Sequence, residues 1–483
     1  MGRPYHERRH TTGVKSAMPA TAADQSLLQR RERSLGPAYS LFYERPVHLV
    51  RGEGAWLFDP AGRRYLDCYN NVASVGHCHP RVVDALGRQA ATLNTHTRYL
   101  HEGIVSYAER LAATLPEPLS VCMFVCTGTE ANDLALRIAR AVTGNHGIVV
   151  TEDAYHGNST AVFEMSTEEY PARERPAYLQ AVAAPCTYRG PFRDPFRDLG
   201  RAVGADGGEA AGAGGGEAAG AGGGEAAGAG GGEAAGLGYA ALVGEAVAAL
   251  AARGHRPALF ITDNAFSSNG VLTAPPLYLR EAYRIIRAAG GLAVADEVQS
   301  GLCRLGDHYW GFQDSDVVPD IVTMGKPLGD GHPLAAVVTT PEIAAAFARR
   351  YGYFNTFGGN PVSAAVGLAV LRVLEEEQIL QGVHDTGAVL RQGLEALAER
   401  HDLLGDVRGK GLFFGVELVR DRASREPAPA EAARVREHLR ENGVLLGTSG
   451  PFHNVLKIRP PLVFRRQHAE LLLQRLEEAL AAV

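Results

Sequence analysis

Short apolar runs alternate with amphipathic segments through the middle of this chain, a pattern few folds accommodate. Val121 to Val125, Gly147 to Thr151, Ala258 to Thr262, Leu292 to Ala295 and Ile321 to Met324 have the length and composition of buried strands. Helical periodicity fills segments between them, such as Glu130 to Val142 and Leu277 to Ala289. The alternation predicts a largely parallel sheet covered by helices. Upstream, Val47 to Asp67 alternates and turns at Pro60-Ala61-Gly62, a predicted β-hairpin. After Thr340 the pattern changes to long amphipathic helices over Pro361 to Glu377 and Gly387 to Arg400, a strand-like Gly411 to Leu418 and a final helix from Gln467. This predicts a second, smaller α/β domain.

The expected division is a flexible tail over 1–25, a segment 26–75 packing with the small domain, a large domain over 76–338 and a small C-terminal domain over 339–483. One stretch interrupts the large domain. Glu209, Glu217, Glu225 and Glu233 recur every eight residues among Gly and Ala. Such a composition buries almost nothing, so 204–237 is predicted to be a disordered surface insertion.

Composition removes several classes of function. The net charge of −6, with no long basic run, excludes nucleic acid as the expected partner. Residues 1–15 lack the apolar core of a signal peptide, and no stretch of ~20 uncharged apolar residues follows. A cytoplasmic protein with no membrane partner is expected. The six cysteines show no disulfide spacing, and His77-Cys78-His79 lacks a second ligand pair, so no metal is expected.

The basic residues are lopsided. Of 48, only Lys15, Lys326, Lys410 and Lys457 are lysine, leaving 44 arginines. A lysine kept in such a chain points to a place where a guanidinium cannot serve, as where an amine must lose its proton and attack a carbonyl. Lys326 is the best placed of the four. In I-V-T-M-G-K-P-L-G-D-G-H-P it leaves an apolar strand for a Gly/Pro-rich loop, at the sheet edge where α/β folds bind ligands.

Three other motifs share that setting. Asp296 ends the buried strand of L-A-V-A-D-E-V-Q, with Glu297 beside it on the opposite face. In C-T-G-T-E-A-N-D, Gly128 and Thr129 open a helix whose N–H groups would converge on a phosphate, although Thr127 and Glu130 also fit an ordinary capping box. Tyr155, in A-Y-H-G, offers a flat ring. An imine-forming lysine, an acid for a ring nitrogen, a phosphate cradle and a stacking ring are together what pyridoxal 5′-phosphate (PLP) requires.

In order and spacing these motifs resemble the class III (ω-type) aminotransferase family, from about residue 37 to the C-terminus apart from the insertion. The resemblance implies a PLP-dependent transferase fold of type I: an α/β large domain with a mostly parallel seven-stranded sheet, plus a smaller α/β C-terminal domain. It implies that Gly128 and Thr129 bind the cofactor phosphate, that Tyr155 stacks on the ring with His156 nearby, and that Asp296 meets the ring nitrogen. Val298 and Gln299 would contact the ring and its hydroxyl, Asp263 would join the cofactor site, and Lys326 would form the covalent link. Thr356, in F-N-T-F-G-G-N-P, would reach the phosphate from a partner subunit, which implies a homodimer with active sites at its interface.

Within the family, Tyr69 to Pro80, Leu93 to His101, Thr187 to Arg193 and Asn454 to Pro461 resemble the ethanolamine-phosphate and phosphohydroxylysine phospho-lyases. That likeness implies a small-molecule amine as substrate and elimination of phosphate and ammonia from it, with Asn71, Arg98 and Arg408 as substrate contacts and Arg189 and Arg193 as further candidate cations. Departures fall close by: Asp263-Asn264-Ala265-Phe266 replaces a glutamate-containing motif, Cys303 replaces a usual glycine, and Asn158 replaces a common histidine. An aminotransferase using a keto acid, or a non-catalytic homologue serving as a binding protein, are the alternatives; intact Lys326 and Asp296 oppose the latter.

Overall fold

The structure, a computed structural model, describes residues 22–193 and 224–483. An N-terminal hairpin is formed by β1 (Arg51–Glu53), β2 (Trp56–Phe58) and β3 (Arg64–Asp67). Asp59 closes the turn, its carboxylate accepting from the N–H groups of Ala61 and Arg63. The expected tail is shorter than predicted, since a helix covers Ala22–Leu35; the rest of it lies outside the described residues.

The central sheet contains β4 (Val121–Val125), β5 (Gly147–Thr151), β6 (Leu179–Val182), β7 (Pro257–Asp263), β8 (Leu292–Asp296), β9 (Ile321–Met324) and β10 (Ala335–Thr339). Their order is β4-β10-β9-β8-β7-β5-β6. The pairs from β9 through β6 are parallel, and only β10 runs antiparallel to its neighbours β4 and β9. β7, β9 and β10 are buried along their whole length, as continuous apolar strands must be when both faces of a sheet are covered. Five of the seven are the runs read from the sequence. β6 carries Gln180 and β10 has no large apolar residue, so neither stands out as a run.

The insertion needs correcting. A helix covers Gly224–Ala252, so disorder does not hold for 224–237; residues 204–223 lie outside the described residues. Gly236 lies against Pro276, where any Cβ would collide with the Pro276 carbonyl, and Tyr239, Val243 and Leu250 enter the core over the sheet. Residues 231–252 are also long and apolar enough to cross a membrane, with mean hydropathy 1.6, a stretch the sequence reading did not expect. Here that apolar surface packs against the sheet and the helix Tyr278–Ala288.

The C-terminal part is built on β11 (Leu404–Lys410), β12 (Phe413–Asp421), β13 (Glu426–Pro427), β14 (Val444–Leu445), β15 (Gly447–Ser449) and β16 (Val455–Ile458). Five of these make one sheet, while β14 pairs in parallel with β3 and joins the N-terminal hairpin. Helices Ile379–Arg400 and Arg466–Ala481 pack on it with their Leu and Val faces inward.

Candidate active site

β8 and β9 run parallel, with Asp296 opposite Thr323, so Asp296 and the loop carrying Lys326 emerge at the same edge of the sheet. Beside them β4 leads into the helix Gly128–Thr143. Eight residues singled out from the sequence, Gly128, Thr129, Tyr155, His156, Asp296, Val298, Gln299 and Lys326, line one cleft of about 350 Å³ there.

The capping box at Thr127 is present. Thr127 Oγ1 accepts from Glu130 N–H at 3.1 Å, and Glu130 accepts in return from Thr127 N–H at 2.9 Å. The cap therefore leaves the N–H groups of Gly128 and Thr129 for an anion at the positive end of the helix. Glycine is required at 128 because a Cβ would come 2.9 Å from Val298 Cγ2.

Asp296 is held on every side. Its Oδ2 accepts from His156 Nδ1 at 2.7 Å and from Asn132 Nδ2 at 2.9 Å, and its Oδ1 from Val298 N–H at 3.1 Å. Asn132 is fixed in turn by Thr323 Oγ1, which donates to its carbonyl at 2.6 Å. Sequence reasoning missed Asn132, whose place in the helix motif A-N-D was its only signal. Neighbouring Glu297 points the other way into the core. It accepts from Asn264, Ser300 and the N–H groups of Gly311 and Phe312, while burial pushes its carboxyl up to about 7.

Burial lowers the Lys326 amine to about 8, helped by the charge of Arg459 and opposed by Asp296 and Asp263. An amine so placed is neutral in a substantial fraction near physiological pH, as a nucleophile or base must be. Arg459 is fully buried. Its Nη1 donates to Gln299 Oε1 at 2.5 Å and its Nε to the Tyr69 carbonyl at 3.1 Å. Lys457 stands two residues earlier on β16, so it shares a face with Arg459. It too is buried, and burial followed by the Arg459 charge lowers its amine. Neither was assigned a role from the sequence, although the scarcity of lysine pointed at Lys457 as much as at Lys326.

Five expected contacts fall outside the cleft lining. Asp263 is buried at the same register as Asp296 on β7, where its carboxyl accepts from Ala265 N–H, Ser267 N–H and Ser267 Oγ. It shapes a turn and acts on Lys326 through its charge. Asn71 is buried and donates to Gln299 Oε1 at 2.7 Å, and its Oδ1 is a buried acceptor with no partner among the described residues. Arg98 is exposed, its guanidinium 4.0 Å over the ring of Phe354, and Thr356 is exposed on that same loop.

Arg408 is a correction of another kind. It is buried and engaged within the protein, its Nη1 donating to Asp406 at 2.9 Å and to Glu417 at 2.6 Å, and its Nε to the carbonyls of Gly270 and Val271 at 3.0 Å each. Arg189 is likewise engaged by Glu417, and Arg193 is exposed. His77 and His79 meet Asp67 and Glu377, and among the described residues no group of three or more His, Cys, Asp or Glu gathers as a metal site would.

The departures also have structural readings. Cys303 holds φ +65 and Leu302 φ +53, so the position where glycine is usual has a left-handed backbone. Asn158 pairs with Thr129, its N–H donating to Thr129 Oγ1 at 3.3 Å.

The model of the aminotransferase class-III family matches residues 42–202 and 239–480. The chain belongs to that family. It is 41% identical over 465 residues to alanine–glyoxylate aminotransferase 2-like of Drosophila melanogaster, covering 94% of this chain and 87% of that one. To the human mitochondrial alanine–glyoxylate aminotransferase 2 it is 35% identical over 460 residues, covering 94% of this chain and 86% of that one. Among solved structures, a phospholyase from Arthrobacter in complex with phosphoethanolamine is 42% identical, with TM-score 0.84, covering 95% of this chain and all of the other. An ω-transaminase from Pseudomonas jessenii in complex with PMP shares the fold, at 24% identity and TM-score 0.75 over 97% of this chain and 96% of that one.

PLP is the family's cofactor, and the cleft of this class III chain fits it. Gly128 and Thr129 would offer N–H groups to its phosphate, Asp296 a carboxylate to its ring nitrogen, and Lys326 the amine to its aldehyde. His156 Nε2 is buried without a partner among the described residues beside that carboxylate.

Proposed function

We propose that this chain is a PLP-dependent phospho-lyase that eliminates phosphate and ammonia from a phosphorylated amine such as phosphoethanolamine. The observation carrying this reading is the pair Lys457, on β16, and Arg459, just past its end, close enough to Lys326 for their charges to act on one another. Buried Arg459 beside the reactive amine suits a dianionic leaving group, and Lys457, whose amine is lowered to about 7 by burial and the Arg459 charge, would take up a proton as that anion arrives. Arg408, which a carboxylate-bearing amino acid would need free, is spent on Asp406 and Glu417.

PLP, when bound, supplies the electron sink that makes the C–H bond next to nitrogen acidic. Lys326 Nζ, neutral in part near pH 8, takes that proton. The bond from the adjacent carbon to the phosphate oxygen then breaks, the electron pair leaving with phosphate. Water releases ammonia and an aldehyde. Lys457 and Arg459 hold the departing charge, and Asp296, fixed by His156 and Asn132, keeps a proton on the ring nitrogen.

The complete site is proposed to need a second copy of this chain. Thr356 and Arg98 share an exposed patch with Leu100, Phe354 and Phe357, and Leu100 is 103% exposed. Apolar surface of that extent suits burial in a homodimer, which would carry Thr356 and Arg98 to the partner's cleft.

The likeness to alanine–glyoxylate aminotransferase 2 proteins favours a second reading, transfer of an amino group to a keto acid. Incubation of the holoenzyme with phosphoethanolamine and no keto acid separates the two. Free phosphate at catalytic turnover supports the lyase; no phosphate, with turnover appearing on addition of a keto acid, replaces it by the transaminase.

A further inference from the structure

Between β3 and the helix Pro80–Thr92 the chain has no regular structure, yet it is tied down along its length. Wholly buried Asp67 accepts from Tyr69 N–H at 3.0 Å and Asn70 N–H at 2.9 Å, and pairs with His77 at 2.7 Å, so one carboxylate gathers both ends of the segment. From this strap Asn71 reaches Gln299, as described. Two further bonds go to the loop that carries Lys326. Ser74 Oγ donates to the Pro327 carbonyl at 2.6 Å, and Val75 N–H donates to Asp330 Oδ1 at 3.0 Å.

The loop's own bonds, Leu328 N–H to the Gly325 carbonyl at 2.9 Å and His332 N–H to the Gly329 carbonyl at 2.8 Å, set its shape. They do not set its place relative to the sheet. Asp330 also holds φ +46, a left-handed conformation, which turns its carboxyl toward the strap. The strap is independently anchored, with Leu462 N–H donating to the Ser74 carbonyl at 2.8 Å and Arg459 N–H to the Cys68 carbonyl at 2.8 Å.

We infer that Ser74 and Asp330 are positioning residues for Lys326, the strap 67–77 holding the lysine loop so that the amine stands at the cleft beside Asp296. The inference holds whichever reaction the cleft performs. It requires that loosening either bond shift Lys326 relative to the cofactor site without removing any group that touches the cofactor.

The test uses the full-length holoenzyme and the variants Ser74→Ala, Asp330→Ala and Asp330→Asn. Three quantities are read: the PLP dissociation constant, the pH midpoint of the visible absorbance of lysine-bound cofactor, and the thermal midpoint of the cofactor-free protein. Loss of one buried hydrogen bond corresponds to about a tenfold change in an equilibrium constant. Ser74→Ala and Asp330→Ala should each weaken PLP binding by about that factor and move the absorbance midpoint, whereas Asp330→Asn, whose amide oxygen accepts the same N–H, should match wild type in those two quantities. Lowered thermal midpoints with unchanged affinity and unchanged absorbance titration would show a merely structural role and overturn the inference. So would an Asp330→Asn variant as impaired as Asp330→Ala. If Asp330→Ala does not fold, Ser74→Ala, at a separate bond, decides the matter alone.

Discussion

Asp296 receives His156 Nδ1 at 2.7 Å, both side chains being almost fully buried. The pair fixes the orientation of the carboxylate that would face the cofactor's ring nitrogen. His156→Ala leaves Asp296 Oδ2 with Asn132 as its remaining side-chain donor. Losing a charge-assisted bond of this kind costs about 1.5–3 kcal/mol, roughly ten- to more than a hundredfold. PLP affinity, measured by absorbance titration, should fall within that range, and Asn132→Ala should produce a similar loss.

Lys326→Ala should abolish the visible absorbance that borohydride removes from wild type, because Lys410 pairs with Asp307 and Asp314 and, of the described lysines, Lys326 alone lines the cleft. The same amine predicts a pH profile. With its ordinary value of 10.5 lowered to about 8, the neutral form is favoured by folding. Between these values the unfolded chain binds more protons than the native one, so this lysine contributes stability to the cofactor-free protein that grows as pH rises from about 8. The rate of covalent PLP capture should rise through about pH 8 and then level, instead of climbing toward 10.5.

Lys457 and Arg408 should separate function from stability. Lys457→Met should depress turnover of a phosphorylated amine by ~2–4 kcal/mol, tens- to several-hundredfold in rate, with PLP affinity changed little. Arg408→Ala removes the ion pairs that Arg408 makes with buried Asp406 and Glu417 and should cost about 3–5 kcal/mol in unfolding free energy, read by denaturant titration.

Asp330 is raised from 3.8 to about 8 by burial, against the bond from Val75 N–H. Here the native state binds the extra proton, so stability falls as pH rises between those values and flattens above about 8. Asp330→Asn has no such charge to bury. Its thermal midpoint should match wild type near pH 4 and exceed it by a growing margin up to pH 8, measured by calorimetry of the cofactor-free proteins.

Gly236 packs on Pro276, so Gly236→Ala should lower the thermal midpoint even though it raises helix propensity. An unchanged midpoint would mean that the helix end shifts freely over the sheet.

Much of this protein was readable before its fold. Apolar runs of strand length marked β4, β5, β7, β8 and β9, because a strand buried on both faces needs apolar residues at every position. Lys326, Asp296 and the Gly128-Thr129 helix start were legible for a related reason: each sits at a strand end, and strand ends are set by local pattern. Asp263, read as a cofactor contact, also binds N–H and O–H groups of its own turn, which the strand pattern by itself did not show. Cations were the least legible. Arg408 and Lys457 look alike as basic residues in C-terminal strands, yet one is consumed by Asp406 and Glu417 while the other faces Lys326. What a buried charge does depends on which carboxylate or ligand the fold brings within a few ångströms of it, and that is a long-range property that only the tertiary structure decides.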